Sequence, residues 1–501
     1  MRSLTLLCLL LPLVIPAPLP AADANRLTYL DELNPYYPHR TFPKLITPQW
    51  IGEPGVEAVV ILAIDDMRGH EKWETFLRPI LNRLKRIDGR APVSIMTCQI
   101  DPKDPHLQQW LKEGLSLETH TIDHPCPLLQ RGDFAKAKST YDRCVDLLNE
   151  VPGNKPVAFR MPCCDSLNTL SPRFFTEIFN KQTAKGNFLS IDSSVFNVIT
   201  SNDPDLPREL VIDPDGQDKF RKYLPRDRTF VNTIEDYPYP YVIGHTCWEF
   251  PCVMPSDWAA NHYHKPANPI TVRDWQAALD AIVLKQGVFT MVFHPYEWIK
   301  NTQIIDLIDH AHAKYGKKVK FLTFREAYER LNKNLLAGQP LRDADGKDNG
   351  VRLLDVNNDG YVDVVIGNGN LSRSRLWSPQ TKAWASTGFP VFFPTRLVHS
   401  DRNDDQYDDA TRFAILHPDG YPTVFSRRFD RDHEKTHVYH FDGERWIEQD
   451  SLLEGIDDIK ARNSPGGLDV RFRDLDKDGC CELILSSAQQ QAIFRWSAEK
   501  K

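Results

Sequence analysis

The feature that most limits how this chain folds is an apolar run that ends on charge. Val59-Val60-Ile61-Leu62-Ala63-Ile64 has the continuous aliphatic character of a strand buried on both faces, and it leads without a turn into Asp65-Asp66. Two adjacent carboxylates at the end of a buried strand are costly to desolvate unless a cation or a proton transfer uses them. A second stretch behaves in the same way. Leu115 and Leu117 alternate as in a short strand, and His120-Thr-Ile-Asp-His124 follows, with Pro125 forcing a turn. Histidine is the commonest side-chain metal ligand, but a lone His-x-x-x-His is a weak signal. Together the two strand ends supply a His, His, Asp ligand set with one carboxylate to spare.

From about Gly55 to Leu336 strand patterns alternate with amphipathic helix patterns, which predicts an α/β domain. Trp73, Phe76, Leu77, Ile80, Leu81, Leu84 and Ile87 recur at three- and four-residue steps and predict the first helix. Asp65-Asp66, His120 to His124, Arg160, Asp192 and His294 all fall just past the C-terminal ends of short apolar runs. In a β/α barrel that face gathers catalytic groups, and so many separate polar arrivals at one face are hard to explain as solvation. Between Asn197 and Pro269 the pattern lapses into a segment rich in Pro, Asp and aromatics, the kind of long stretch that is often functional. Within it, Trp248, Trp258, Tyr237, Tyr239 and Tyr241 either line a carbohydrate groove or form the segment's own small core. His262 and His264 read as surface histidines rather than a metal pair.

Taken in chain order, Ile64-Asp65-Asp66, His120-Thr121-Ile122-Asp123-His124, Arg160-Met161-Pro162, Asp192 with Phe196, and Val292-Phe293-His294 resemble the motifs of the polysaccharide deacetylases, carbohydrate esterase family four. The resemblance spans roughly Gly55 to Leu336 and implies a distorted (β/α) barrel smaller than a full eight-fold one. Three departures stand out. Cys163-Cys164 follow Arg-x-Pro where the family has an aromatic or Gly, Phe196 stands where it prefers Trp, and the 197–269 segment is longer than its minimal pattern. The chemistry also follows from the residue types. Asp66, His120 and His124 are expected to hold a divalent metal, zinc by donor type, that polarises an acetyl carbonyl and acidifies water. Asp65 is left as general base, and His294, from a different strand, as general acid. Arg160 is expected to hold Asp65 ionised, and Asp192 to hold His294 protonated; the alternative for both is an ordinary structural ion pair. The roles implied by the resemblance agree.

After Gly338 the composition shifts and a repeat appears. Asp355, Asn357, Asp359 and Asp363 surround Gly360, and Asp474, Asp476, Asp478 and Glu482 surround Gly479 in the same spacing. A worn copy, Asp401, Asn403, Asp405 and Asp409, lies between them without the Gly. Oxygen ligands at alternate positions around a tight turn suit calcium, and the flanking short β-type runs exclude an EF-hand. The repeat is similar to the FG-GAP/VCBS type of integrin-like propellers, which implies a mainly-β domain of propeller-like calcium-loop repeats. Three loops are too few for a closed propeller. The expected role is calcium-stabilised scaffolding, or attachment to a cell-surface glycan or protein.

Arg2, an apolar run from Leu4 to Leu19, and Ala22-Asp23-Ala24 read as an export signal ending near 24, with Pro12, Pro16 and Pro18 opposing a membrane helix. No other segment is apolar enough to span, so a secreted, periplasmic or cell-surface location is expected. Acids outnumber bases, 68 to 61, with no basic run, which argues against a nucleic-acid partner. Beyond Cys8 there are nine cysteines of the ten, an odd count in an oxidising compartment; Cys247 and Cys252 are candidates to pair, and Cys163-Cys164 and Cys480-Cys481 are vicinal. The expected organisation is a signal peptide (1–24), an extension (25–54), a catalytic domain (55–338) and a β-repeat domain (339–501). The expected function is removal of N- or O-linked acetyl groups from an acetylated polysaccharide. The alternatives are an amidase of a small non-carbohydrate amide, or a catalytically inactive calcium-dependent glycan-binding protein.

Overall fold

The computed structural model describes residues 45–497 except 165–169, 225–232, 394–410, 431–432, 455, 457–469, 477 and 487–490. The export signal, most of the extension and the worn repeat lie outside the described residues. The first strand, β1 (Ala58–Met67), shows why the apolar run is continuous. Val60, Leu62 and Ile64 pack against helices, whereas Val59, Ile61 and Ala63 face the inside of the sheet. Both faces of β1 are therefore buried, as parallel strands covered by helices require. The helix His70–Asp88 lays Trp73, Leu77, Ile80, Leu81 and Leu84 on this sheet and ends at Gly89, whose φ of 71° closes the last turn.

Parallel strands follow β1 outward as β2 (Val93–Thr97), β3 (Ser116–Thr119), β4 (Ala158–Phe159) and β5 (Ile191–Asp192). On the other side of β1 lies β6 (Val288–Phe293), paired in parallel from Val59↔Val288 to Ile64↔Phe293. The two edges of this sheet meet along one short segment. Its first part, Cys247–Glu249, pairs with β5, and its second part, Cys252–Val253, pairs with β6. The result is the distorted barrel expected from the sequence, closed by the stretch that showed no periodicity.

That stretch is the main correction to the sequence reading. The segment 197–269 holds the strands Thr233–Glu235, Tyr241–Ile243, Cys247–Glu249 and Cys252–Val253 and the helix Asp257–His264. Strands of two or three residues are too short to register as a period-two pattern. Tyr237, Tyr239, Tyr241 and Trp248 are all buried, so they are core residues and not a carbohydrate groove; Trp258 is half-buried and packs on His262, which is exposed. His264 is bonded to the Tyr223 hydroxyl at 2.8 Å. The cysteines also depart from expectation. Cys126 and Cys163 form a disulfide, while Cys247 and Cys252 remain free and buried, because they belong to two successive strands rather than to one loop.

The C-terminal part is mainly β. Three antiparallel sheets, running Val351–Gly388, Thr411–Glu448 and Val470–Phe494, share a core of Leu354, Val365, Phe413, Val424, Phe472 and Leu483. Each described acidic loop joins two neighbouring strands of one sheet. No helix among the described residues is long and apolar enough to cross a membrane.

Arg342 joins the two parts. Its guanidinium is buried and donates to the carbonyls of Phe179, Leu189, Asn180 and Gly346, and it lies over the Phe188 ring. Truncation leaves these acceptors without donors. Arg342→Ala is expected to cost about 3 kcal/mol, seen as an earlier first transition in thermal or denaturant unfolding. A transition at the wild-type position would show that water replaces the guanidinium without loss.

Candidate active site and metal centre

Side chains on successive strand residues point to opposite faces, so Asp65 and Asp66 can reach one site only if the strand is irregular there. It is. β1 runs in register with β2 as far as Ile64↔Ile95, then slips, so that Met67 stands opposite Thr97. One extra residue is accommodated on β1 in a β-bulge, and Asp66 there adopts a left-handed φ of 72°. The Trp73 indole N–H donates to the Asp65 carbonyl at 3.1 Å and fixes the bulge from the first helix.

His120 follows the last residue of β3, and the loop that carries it is held in unusual backbone geometry, with φ of 64° at Thr121 and 53° at His124. Such conformations cluster at functional sites. His120 Nδ1 lies 2.8 Å from the Arg160 carbonyl, which can only accept, so this nitrogen carries the proton and Nε2 is turned inward. His120 Nε2 and His124 Nε2 approach Asp66 Oδ1 at 3.2 and 2.8 Å. Neither approach has hydrogen-bond geometry, and this buried oxygen has no donor. Burial alone would raise the Asp66 carboxyl, but His120, His124 and the charge of His294 outweigh it and hold the group well below the usual range. One carboxylate oxygen and two imidazole nitrogens converging without hydrogen bonds fit a divalent cation.

The spare carboxylate has a partner of its own. Arg160, fully buried after β4, donates through Nη1 to Asp65 Oδ1 at 2.7 Å and through Nε and Nη2 to the Ser193 carbonyl and hydroxyl. A buried guanidinium so tied cannot turn away from Asp65. The disulfide Cys126–Cys163 links the loop of His124 to the loop after Arg160, so both halves of the site share one covalent tie.

His294 follows β6, and its partner is not the one the sequence suggested. Its ring Nδ1 lies 2.8 Å from Asp257 Oδ1, and its backbone N–H donates to Asp257 Oδ2 at 2.8 Å. Burial would lower the His294 pKa, but the Asp257 carboxylate, with Asp66 and Asp65 beyond it, raises it to about 10. Asp192 stands away from this pair. It accepts from the Ser194 hydroxyl and faces Glu249 across the β5 pairing, and burial raises both of these carboxyls. The reason is topological: Asp192 ends its strand on the interior seam where the barrel closes. Asp257 escaped the sequence reading because it comes from a helix start inside the aperiodic segment. The signal was there in Pro255-Ser256-Asp257, since Ser256 caps the helix by accepting from the Ala259 N–H. Tyr296 is a second residue not anticipated. Its hydroxyl donates to Asp66 Oδ2 at 3.1 Å, and its ring stacks near His294.

In the C-terminal part the two acidic loops are bonded alike. Asp355 accepts from the N–H groups of Asp359 and Gly360 at 3.1 and 3.0 Å, and Asp474 accepts from those of Asp478 and Gly479 at the same distances. Asp363 and Glu482 each accept from the residue after that first Asp. Asn357 Oδ1 is buried without a partner in the first loop, and oxygens of Asp474, Asp476 and Glu482 gather within 4.8 Å in the second; Asp476 and Asp478 also pair with Arg495.

No curated protein matches this sequence. Solved structures that this chain matches include a Mycobacterium smegmatis protein assigned as a polysaccharide deacetylase, at 15% identity and a TM-score of 0.35, covering 58% of this chain and 95% of that one. A family 4 carbohydrate esterase from Streptomyces lividans is 12% identical with a TM-score of 0.29, covering 53% of this chain and 91% of that one. A peptidoglycan deacetylase from Bacillus subtilis is 14% identical with a TM-score of 0.29, covering 56% and 96%. The family model for polysaccharide deacetylase matches residues 52–172, which include Asp65, Asp66, His120, His124 and Arg160. This part of the chain is a polysaccharide deacetylase domain, of a family of hydrolases acting on amide or ester bonds of carbohydrates.

Proposed function

We propose that the protein is an exported, metal-dependent deacetylase that hydrolyses N- or O-linked acetyl groups of a polysaccharide. The observation that carries this reading is the convergence of Asp66, His120 and His124 beside two separate charged pairs, Arg160 with Asp65 and Asp257 with His294. Each group has a distinct task. A divalent cation held by Asp66, His120 and His124, zinc by the donor set, supplies carbonyl polarisation and a more acidic water. Asp65, oriented by Arg160, takes the proton of the attacking water as general base. His294, kept protonated by Asp257, gives its proton to the leaving nitrogen or oxygen as the bond to the acetyl carbon breaks. Acetate and the free amine or alcohol leave. Export is supported by the apolar N-terminal run and by a disulfide of the kind that oxidising compartments favour.

Asp65→Ala is expected to lower acetate release from matched N-acetyl and O-acetyl glycans by about 10²–10⁴-fold while zinc still binds in equilibrium dialysis. Undiminished release would remove Asp65 from the reaction. Asp257→Asn should change the pH profile. A general acid works only while protonated, and the raised pKa of His294 keeps it so until the pH nears about 10. Without the Asp257 charge the proton is lost at lower pH, so the alkaline limb of kcat should move down. A limb that stays in place would show that another group titrates.

The acidic loops of the C-terminal sheets are proposed as calcium sites that hold FG-GAP-like repeats, a surface suited to attachment to a cell-surface glycan or protein. The shared bonding of Asp355 and Asp474 supports this, as does the Asp363 carboxyl, which burial pushes up to about 8 beside Asp355 and Asp359, where a cation would relieve it. Calcium at about 100 times its Kd would add about 2.7 kcal/mol to stability. Thermal unfolding should therefore shift upward with calcium, and less so in Asp355→Ala and Asp474→Ala; a calcium-independent transition would dismiss these sites.

A further inference from the structure

The mouth of the candidate site carries cations that the rest of the fold leaves unused. Further along the first helix, Arg78, Arg83 and Lys85 are each paired with a carboxylate. Lys72, at the start of that helix, and Arg68, just before it, make no ion pair among the described residues, and both are exposed. In a chain whose acids outnumber its bases, two such cations beside one cleft need a reason. Their place supplies it. The Lys72 ammonium lies 4.0 Å over the Tyr296 ring, whose hydroxyl reaches Asp66 and whose other neighbour is His294. Arg68 spans from the end of β1 towards the histidine loop, its guanidinium 3.5 Å from the Ile122 carbonyl.

Beside these residues a groove of about 780 Å³ is lined by Lys72, Asn261, Tyr296, Glu297 and Trp298 with two prolines. Tyr296 and Trp298 meet almost at right angles, with centroids 5.0 Å apart, and Trp298 also lies 4.9 Å from His294. An aromatic corner suits the apolar face of a sugar ring. Asn261 and Glu297 offer partners to hydroxyls. Lys72, in the lining, remains for an anion, and Arg68 lies outside the lining but near enough for its charge to act on Tyr296. Pro295, Tyr296 and Glu297 of the lining follow His294 directly in the chain and Trp298 packs on its ring, so an occupant of the groove lies next to the general acid that serves the leaving group.

We infer that this groove is a subsite for an acidic glycan, in which a carboxylate-bearing sugar next to the acetylated one is held by Lys72 and Arg68. The inference rests on the deacetylase reading for its location, but binding can be measured without catalysis. The test uses the full-length protein and titration calorimetry with two probes: a tetrasaccharide alternating glucuronate with N-acetylglucosamine, and the neutral tetramer of N-acetylglucosamine. The acidic probe should bind at least tenfold more tightly in low salt and lose that advantage as salt rises. Lys72→Ala should weaken the acidic probe about tenfold, as for one charged hydrogen bond, Lys72→Arg should restore most of it, and neither should change the neutral probe. Equal affinity for the two probes, or an acidic preference unmoved by Lys72→Ala and Arg68→Ala, would overturn the inference. Acetate release is measured separately: its absence, with acidic-probe binding intact, would strike the deacetylase reading and leave the subsite standing.

Discussion

The structure depends on a single irregularity in its first strand. Without the bulge at Asp65 and Asp66 one of two adjacent carboxylates would point into the helix layer, where nothing compensates it. With it, both enter one small volume, and their neighbours follow from the need to balance the charge. Asp65 takes a buried guanidinium, and Asp66 takes two imidazole nitrogens and the Tyr296 hydroxyl. Removing either partner would leave a buried charge unpaired, which costs several kcal/mol. The bulge thus fixes where every later strand must deliver its polar residue.

That delivery explains why much of the site was legible in the sequence. Strand ends are visible as apolar runs, and Asp65, Asp66, His120, His124, Arg160 and His294 all stand at them. What a sequence order does not carry is which carboxylate meets which base. Asp192 and Asp257 both precede His294 in the chain, and only the seam of the barrel decides that the first faces Glu249 and the second faces His294. The same seam hid the closing strands, because Cys247–Glu249 and Cys252–Val253 form by pairing with neighbours already in place rather than by any pattern of their own. The aromatics of that segment were ambiguous for a related reason: Tyr and Trp serve cores and sugar grooves equally well, and burial alone separates the two. The aromatics at the cleft, Tyr296 and Trp298, lie instead two and four residues past His294.

The acidic loops tell a complementary story. Spacing and a central Gly were enough to predict that the two copies are equivalent, and the matching bonds at Asp355 and Asp474 give both loops the same backbone turn. The first loop also reaches outward. Gly360 accepts from the Ile46 N–H, and Val362 donates to the Ile46 carbonyl, so the segment that precedes the barrel is stitched to a loop more than three hundred residues later.

The barrel interior has a further consequence for how the chain is divided. Val59, Ile61 and Val288 belong to the same apolar cluster as Leu335, Leu341, Val351, Val364 and Ile366. The cluster passes from the barrel through the composition change near Gly338 into the first C-terminal sheet without interruption. A cut made where the sequence changes character would therefore pass through the middle of a solid. The first β-sheet is thus held from both sides, by the barrel through this cluster and by the two later sheets through the core of Leu354, Val365, Phe413 and Val424.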